Sequence, residues 1–138
     1  MIIQKTLGVE TRPKSTHDIT HEVQAIVRDS GIDTGLAHVF CKHTSASLML
    51  CENADPAVRQ DLESFMTRLA PEDLNLYRHS AEGKDDMPAH IRSVLTHADL
   101  TIPVSAGACL LGTWQGIYLW EHRDQPYCRE VIVTVRDG

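Results

Sequence analysis

From Leu100 to the C-terminus the chain reads as strand after strand. Leu100–Val104, Cys109–Gly112, Trp114–His122 and Tyr127–Val135 are β-rich runs separated by glycine-containing turns and by Arg123-Asp124-Gln125-Pro126. The helical signals lie upstream of this block. Met1–Val9 reads as an opening strand and His17–Ser30 as a helix, with Ile19, Val23, Ile26 and Val27 at helical spacing, Ser15 with Asp18 as its cap and Gly31 as its stop. Gly35–His43 alternates as a strand, and Ser47–Glu52 reads as its partner. Asp55-Pro56 supplies an N-cap followed by proline at the first helical position. Val58, Leu62, Phe65, Met66 and Leu69 form the stripe of that helix, and Pro71 closes it. Another capped helix is expected at Met87–Thr96, with Met87, Ile91, Val94 and Leu95 on one face. Strands and helices in separate blocks predict an α+β fold: an antiparallel β-sandwich with two to three helices packed on it. No repeat or linker interrupts the chain, so residues 1–138 are expected to form a single domain.

A chain of 138 residues buries enough surface to fold without a disulfide or a structural metal. Its 13 Lys and Arg against 19 Asp and Glu give a net charge of −6 with no basic stretch, which argues against a nucleic-acid surface. No run of 18 apolar residues exists, and the N-terminus lacks a signal-peptide layout, so the expectation is no membrane span and a cytoplasmic protein. Cys41, Cys51, Cys109 and Cys128 have neither redox nor zinc-module spacing and are read as reduced, although Cys41 and Cys51 could face each other across a hairpin.

Eight histidines are the most informative feature of composition. His17 and His21, four apart, read as a solvated helix edge. His43, His79 and His90 each fall at the end of an element or in a polar loop, where ligands are commonly presented. Three such imidazoles could share a zinc ion with an open position, or each could be satisfied separately. Asp86, four residues before His90, can orient that imidazole. Between Glu52 and Asp86 lie nine acidic residues against four basic ones, and Glu63, Glu72 and Asp73 among them are read as a solvated face.

Glu52 continues the face of its strand and is either buried with a partner or aimed at a site, whereas capping the next helix explains Asp55. Trp114, Tyr118 and Trp120 alternate, so they could stack a flat ligand or simply pack the core. Gly107, Gly112 and Gly116 suggest a close approach to the backbone there. Arg129 could pair with Glu121 or bind phosphate, the pair being favoured; the Thr44-Ser45 hydroxyls could bind a phosphate oxygen or close a turn. The fingerprints of common serine hydrolases, P-loop enzymes and Rossmann enzymes are missing.

The blocks His43-Thr44-Ser45-Ala46, Glu52-Asn53-Ala54-Asp55-Pro56, Asp85-Asp86-Met87-Pro88-Ala89-His90 and Leu111-Gly112-Thr113-Trp114-Gln115-Gly116, in this order, resemble the YjbQ-like family over nearly the whole chain. The resemblance implies a compact α+β sandwich assembling as a homotrimer, with sites near subunit boundaries. It also implies secondary thiamine-phosphate synthase activity, joining a pyrimidine-methyl diphosphate to a thiazole phosphate with release of diphosphate. Carried over by position, it gives a polar cluster of His43, Ser45, Glu52, Asn53, Asp55, His79, Asp86 and His90, joined by Trp114, Gln115, Glu121 and Arg129. Within that cluster His43, His79 and His90 become the metal ligands, zinc first. Cys51 departs from the polar residue relatives often carry. A diphosphate leaving group calls for magnesium and cationic side chains, which this sequence replaces with imidazoles and acids. The alternatives are therefore a zinc-dependent hydrolase of a small phosphate or amide, with Glu52 or Asp86 as general base, and a non-catalytic metal- or metabolite-binding trimer.

Overall fold

Alternating strands arrange themselves in two sheets. The computed structural model describes residues 1–138, with strands β1 (Ile2–Glu10), β2 (Thr16–Asp18), β3 (Gly35–Cys41), β4 (Ala46–Glu52), β5 (Asp99–Ser105), β6 (Ala108–Cys109), β7 (Gln115–Glu121) and β8 (Cys128–Arg136). Helices α1 (Thr20–Asp29), α2 (Pro56–Leu69) and α3 (Asp86–Leu95) connect them, with a single 3-10 turn at Leu74–Leu76. A five-stranded sheet has the order β1-β8-β3-β5-β6 and a three-stranded one the order β2-β7-β4. Every pairing is antiparallel, as the α+β expectation required. No helix is long and apolar enough to cross a membrane.

The period of two along each strand decides the layers. Ala37, Val39 and Cys41 of β3, Ile102 and Val104 of β5, and Val131, Val133 and Val135 of β8 turn one face of the large sheet toward Val23 and Val27 of α1 and toward Leu48, Ile117 and Leu119 of the small sheet. The opposite face of the small sheet carries Met49, Tyr118 and Trp120, against which Leu62 and Met66 of α2 pack. The small sheet is thus covered on both sides.

Several local expectations give way to tertiary demands. The first helix begins at Thr20, later than its periodicity suggests, because Thr16–Asp18 pair with β7 as an edge strand. The Asp18 carboxylate accepts the Thr20 amide at 2.9 Å, while the Ser15 hydroxyl donates to the Arg12 carbonyl and caps nothing. Gly31, at φ 74°, ends the helix in the left-handed conformation expected of it. β4 follows β3 in the chain but pairs with β7, since both edges of β3 are taken by β5 and β8. Cys41 and Cys51 therefore lie in different sheets, and all four cysteines are free thiols.

Helix α2 has its expected cap, the Asp55 carboxylate accepting the Ala57 amide at 2.9 Å. Its stripe is only partly covered, with Phe65 and Leu69 about half exposed. Helix α3 is turned the other way from its apolar pattern. Val94 is 84% exposed and Leu95 lies in solvent, whereas Asp86, Ala89 and Arg92 are buried.

A layer of paired polar groups fills the space beneath α3. Arg92 forms a two-pronged pair with Glu63 of α2, at 2.8 and 2.5 Å, and its guanidinium lies over the Trp120 ring. Glu63 also accepts the Trp120 indole N–H at 3.2 Å, so it is not the solvated residue its surroundings suggested. The Arg92 Nε donates to His122 Nδ1 at 3.0 Å, which leaves the His122 Nε2–H for the Ser47 hydroxyl at 2.8 Å. Burial, together with the Arg92 and Arg129 charges, pushes the His122 pKa down to about 2.

His122 gives the protein an acid limit. Unfolded, this imidazole takes up a proton near the ordinary value of 6.5; folded, it does so only near 2. Unfolding therefore binds a proton between those values, so His122 carries no penalty above 6.5 and weakens the fold by up to about 1.4 kcal/mol per pH unit below it. Urea unfolding at a series of pH values should show this slope, and His122→Asn should flatten it. An unchanged slope in the variant would assign the acid sensitivity to other groups.

Candidate functional site

Helix α3 begins with two adjacent carboxylates, Asp85 and Asp86, and brings His90 round one turn later on the same side as Asp86. The loop before it carries His79. Asp86 Oδ2 lies 2.7 Å from His79 Nε2, and Asp86 Oδ1 lies 3.3 Å from His90 Nε2. The two rings are tilted against each other at 5.3 Å between centroids. One ligand atom from each of His79, Asp86 and His90 falls within 4.8 Å of the others, a spacing that a single cation can bridge. Asp86 is buried, His90 half-buried, and His79 reaches solvent, so the cluster opens outward through His79.

The second nitrogen of His90 fixes its chemistry. His90 Nδ1 is 2.9 Å from the Thr44 carbonyl oxygen, which can only accept, so Nδ1 carries the proton. Nε2 then faces the Asp86 carboxylate. This arrangement, an imidazole oriented by a backbone carbonyl, is the usual support of a metal-ligating histidine.

Behind the cluster, Asp85 accepts the Arg123 Nε and the Asp124 amide, both at 2.8 Å. Burial works against this carboxylate, but the hydrogen bonds and charge of Arg123 and the Asp124 amide outweigh it and hold its pKa below the ordinary aspartate value.

His43 stands outside the cluster, which takes the Asp86 carboxylate where a third imidazole was expected. Its Nε2 accepts the Glu130 amide at 2.7 Å, so this nitrogen is already engaged. Burial and the Arg129 charge lower its pKa. His43 instead lines an open hollow of about 450 Å³ with Thr44, His90, Ser93, Val94, Thr96 and Ala98, on the flank of His90. Ser45, Glu121 and Arg129 form a buried network. Arg129 grips Glu121 through Nε and Nη2 at 2.8 and 2.5 Å and donates to the Ser45 hydroxyl at 3.0 Å. Glu121 also accepts the Thr11 hydroxyl at 2.6 Å. The sequence left Arg129 between a pair and a phosphate; here it is paired.

The remaining sequence candidates lie elsewhere. In the β4–β7 register Ala46 opposes Glu121 and Glu52 opposes Gln115, so the Glu52 end is separated from the Ser45 end by six residues, about 20 Å of strand. Glu52 accepts the Ala54 and Asp55 amides at 3.0 and 2.9 Å, and Gln115 accepts the Gly112 amide at 2.8 Å. Asn53 is exposed beside them, and Trp114 is 63% exposed. Trp114 shares no platform with Tyr118 and Trp120, which are buried under α2. The backbone at Gly116 is closely approached by the chain itself, since a Cβ there would meet the Tyr118 ring at 2.8 Å.

Sequence reasoning singled out neither Arg92, Arg123 nor His122, and it noted Asp85 only within a block. Two adjacent aspartates opening a helix, and a histidine-arginine pair ending a strand, were the available signals. Nothing in their spacing tells that they meet.

A family model described as UPF0047 protein YjbQ-like matches residues 5–138. UPF0047 protein sll1880 of Synechocystis sp. is 55% identical over 132 residues, covering 96% of this chain and 90% of the relative. UPF0047 protein YjbQ of Escherichia coli O157:H7 is 43% identical, covering 99% of each. Among solved structures, an uncharacterized conserved protein of the YjbQ/UPF0047 family from Clostridium acetobutylicum superposes with a TM-score of 0.87 at 36% identity, over 96% of this chain and 99% of that one. The conserved hypothetical protein TT1486 from Thermus thermophilus does so with a TM-score of 0.85, also at 36% identity and with the same coverage.

The buried Arg129–Glu121 pair should prove structural. Arg129→Leu strands a fully buried carboxylate and should lower stability by about 3–5 kcal/mol, whereas Arg129→Leu with Glu121→Leu should recover much of that loss. Urea midpoints of the three proteins decide it. Equal losses in the single and double variants would break the argument.

Proposed function

The chain belongs to the UPF0047 YjbQ-like family, and from that premise we propose that His79, Asp86 and His90 hold a divalent cation, zinc foremost, at a site that hydrolyses a small phosphate or amide substrate. One observation carries this reading. With Nδ1 of His90 donating to the Thr44 carbonyl, one ligand atom each of His79, Asp86 and His90 converge within 4.8 Å of one another. A divalent cation placed among them would be drawn to the carboxylate and could take both imidazoles as further ligands. Two imidazoles and one carboxylate suit zinc better than magnesium, which prefers oxygen ligands and retained water.

When bound, such an ion supplies Lewis acidity and lowers the pKa of water. The chain itself supplies the rest. His79, with its ring half in solvent and its Nε2 against the buried aspartate, keeps the mouth of the cluster open to water. The hollow flanked by His43, Thr44 and Ser93 gives a small substrate room beside His90. Glu52, by contrast, is engaged at the far end of the small sheet and does not reach the cluster as a base within one chain.

Thiamine-phosphate synthase activity draws less support from this arrangement. Diphosphate departure calls for cations, and the arginines of this region, Arg92, Arg123 and Arg129, are each paired with carboxylates. A homotrimer in the cytoplasm belongs to the same proposal. Half-exposed Phe65 and Leu69 on α2, and Val94 and Leu95 on α3, support self-association, and four free thiols suit a reducing compartment.

Elemental analysis of protein purified without an affinity tag should find about one zinc per chain. Asp86→Asn and His90→Ala should abolish it, and His43→Ala should leave it intact. The zinc-loaded protein should hydrolyse a phosphoester or amide, and His90→Ala should not. Metal content unaffected by His90→Ala would refute the site, and magnesium-dependent release of diphosphate from the two thiamine precursors would replace hydrolysis with synthesis. Tight ligand binding without turnover would leave a binding module. Analytical ultracentrifugation should give the mass of three chains, and a monomer would remove the trimer.

A further inference from the structure

The guanidinium of Arg123 lies between the two aspartates that open α3. Its Nε donates to Asp85 Oδ2 at 2.8 Å, its Nη1 lies 3.1 Å from Asp86 Oδ1, and its Nη2 donates to the Glu82 carbonyl at 3.0 Å. All three arms of the fork thus reach the five residues that lead into α3. The residue is itself immobilised. Its amide donates to Glu121 at 3.1 Å, its carbonyl accepts the Lys14 amide at 2.8 Å, and its side chain is only 12% exposed. Lys14 holds a positive φ of 40°, a conformation unfavourable for lysine, while its ammonium pairs with Asp124 at 3.0 Å and with Glu72. Main chain and side chain of Arg123 are therefore pinned by separate segments.

We infer that Arg123 is the positioning residue of the His79–Asp86–His90 cluster: it holds the Asp86 carboxylate at the angle at which one oxygen meets each imidazole. This rests on the cation-site reading given above. The physical need for it is clear from the chain order. Asp85 and Asp86 are adjacent buried carboxylates that repel each other, and Asp86 has free rotation about its χ angles unless something fixes it. Arg123 answers both requirements, since its charge lies between the two carboxylates and its planar fork sets direction as well as distance. A lysine supplies the charge but not the fork. Through Asp86 the arrangement ties the cluster to the β7–β8 loop, so the ligands need not rely on the mobility of an exposed histidine to find their geometry.

Zinc titration calorimetry and the visible spectrum of the cobalt-substituted protein test this on full-length wild type, Arg123→Gln, Arg123→Lys and Asp85→Asn, with circular dichroism as the check on folding. Arg123→Gln should weaken zinc binding about 10–100-fold and alter the cobalt bands. Arg123→Lys should recover part of the affinity while the spectrum stays perturbed. Asp85→Asn, which loosens the anchor and leaves Arg123 in place, should weaken binding in the same direction, and it decides the matter if Arg123→Gln fails to fold. Folded variants that bind zinc as tightly as wild type or more tightly, with unaltered cobalt bands, would reduce Arg123 to a structural tie. Wild type that binds neither ion would bring down the cation reading itself, and this inference with it.

Discussion

Asp86 and Arg92, six positions apart on α3, are both buried, and a buried charge is tolerable only with a partner. Their partners come from different parts of the chain: His79 and Arg123 for Asp86, Glu63 and His122 for Arg92. Satisfying both at once leaves α3 a single orientation on the small sheet. No buried side-chain nitrogen or oxygen is left without a hydrogen bond, so the demand is met in full. The cluster of His79, Asp86 and His90 is a consequence of that orientation, since turning the apolar stripe inward would carry Asp86 and His90 off toward solvent.

The small sheet keeps two kinds of polar chemistry apart. At the Ala46–Glu121 end lie the buried Arg129–Glu121 pair, His122 and, above them, the α3 cluster. At the Glu52–Gln115 end the polar side chains satisfy amides of their own turns, and Trp114 stands in solvent. Arginine serves the first end three times, each time bound to carboxylates. The cationic side chains of this region are thus committed to architecture, and the imidazoles of His79 and His90 are the groups left facing outward. That division of labour favours a site that works through an ion held by imidazole over one that grips a diphosphate with arginine.

Much of the fold was legible because it rests on short-range rules. Strand alternation at Gly35–Cys41 and Cys128–Arg136, the Asp55-Pro56 cap and the Gly31 stop act within a few residues and appear where expected. Thr16–Asp18 escaped because an edge position on β7 outweighs helical periodicity. The stripe on α3 misled because periodicity reports that a helix is two-faced without saying which face turns inward. Of the cluster, the Asp86–His90 pair was visible as an interval of four. The meeting of His79 with it, and the removal of His43 from it, were not.

By itself the sequence determined the class of fold, most element boundaries and which residue types could bind a cation, since propensity, capping and alternation are properties of neighbours. Tertiary structure alone decided that β3 and β4 part into different sheets, that α3 buries charge, and which imidazoles share a carboxylate. Each of these follows from competition for partners among residues far apart along the chain: β3 had no free edge to offer, and the buried carboxylates had to find cations. Such competition is settled only when all the contenders are present in one packed interior.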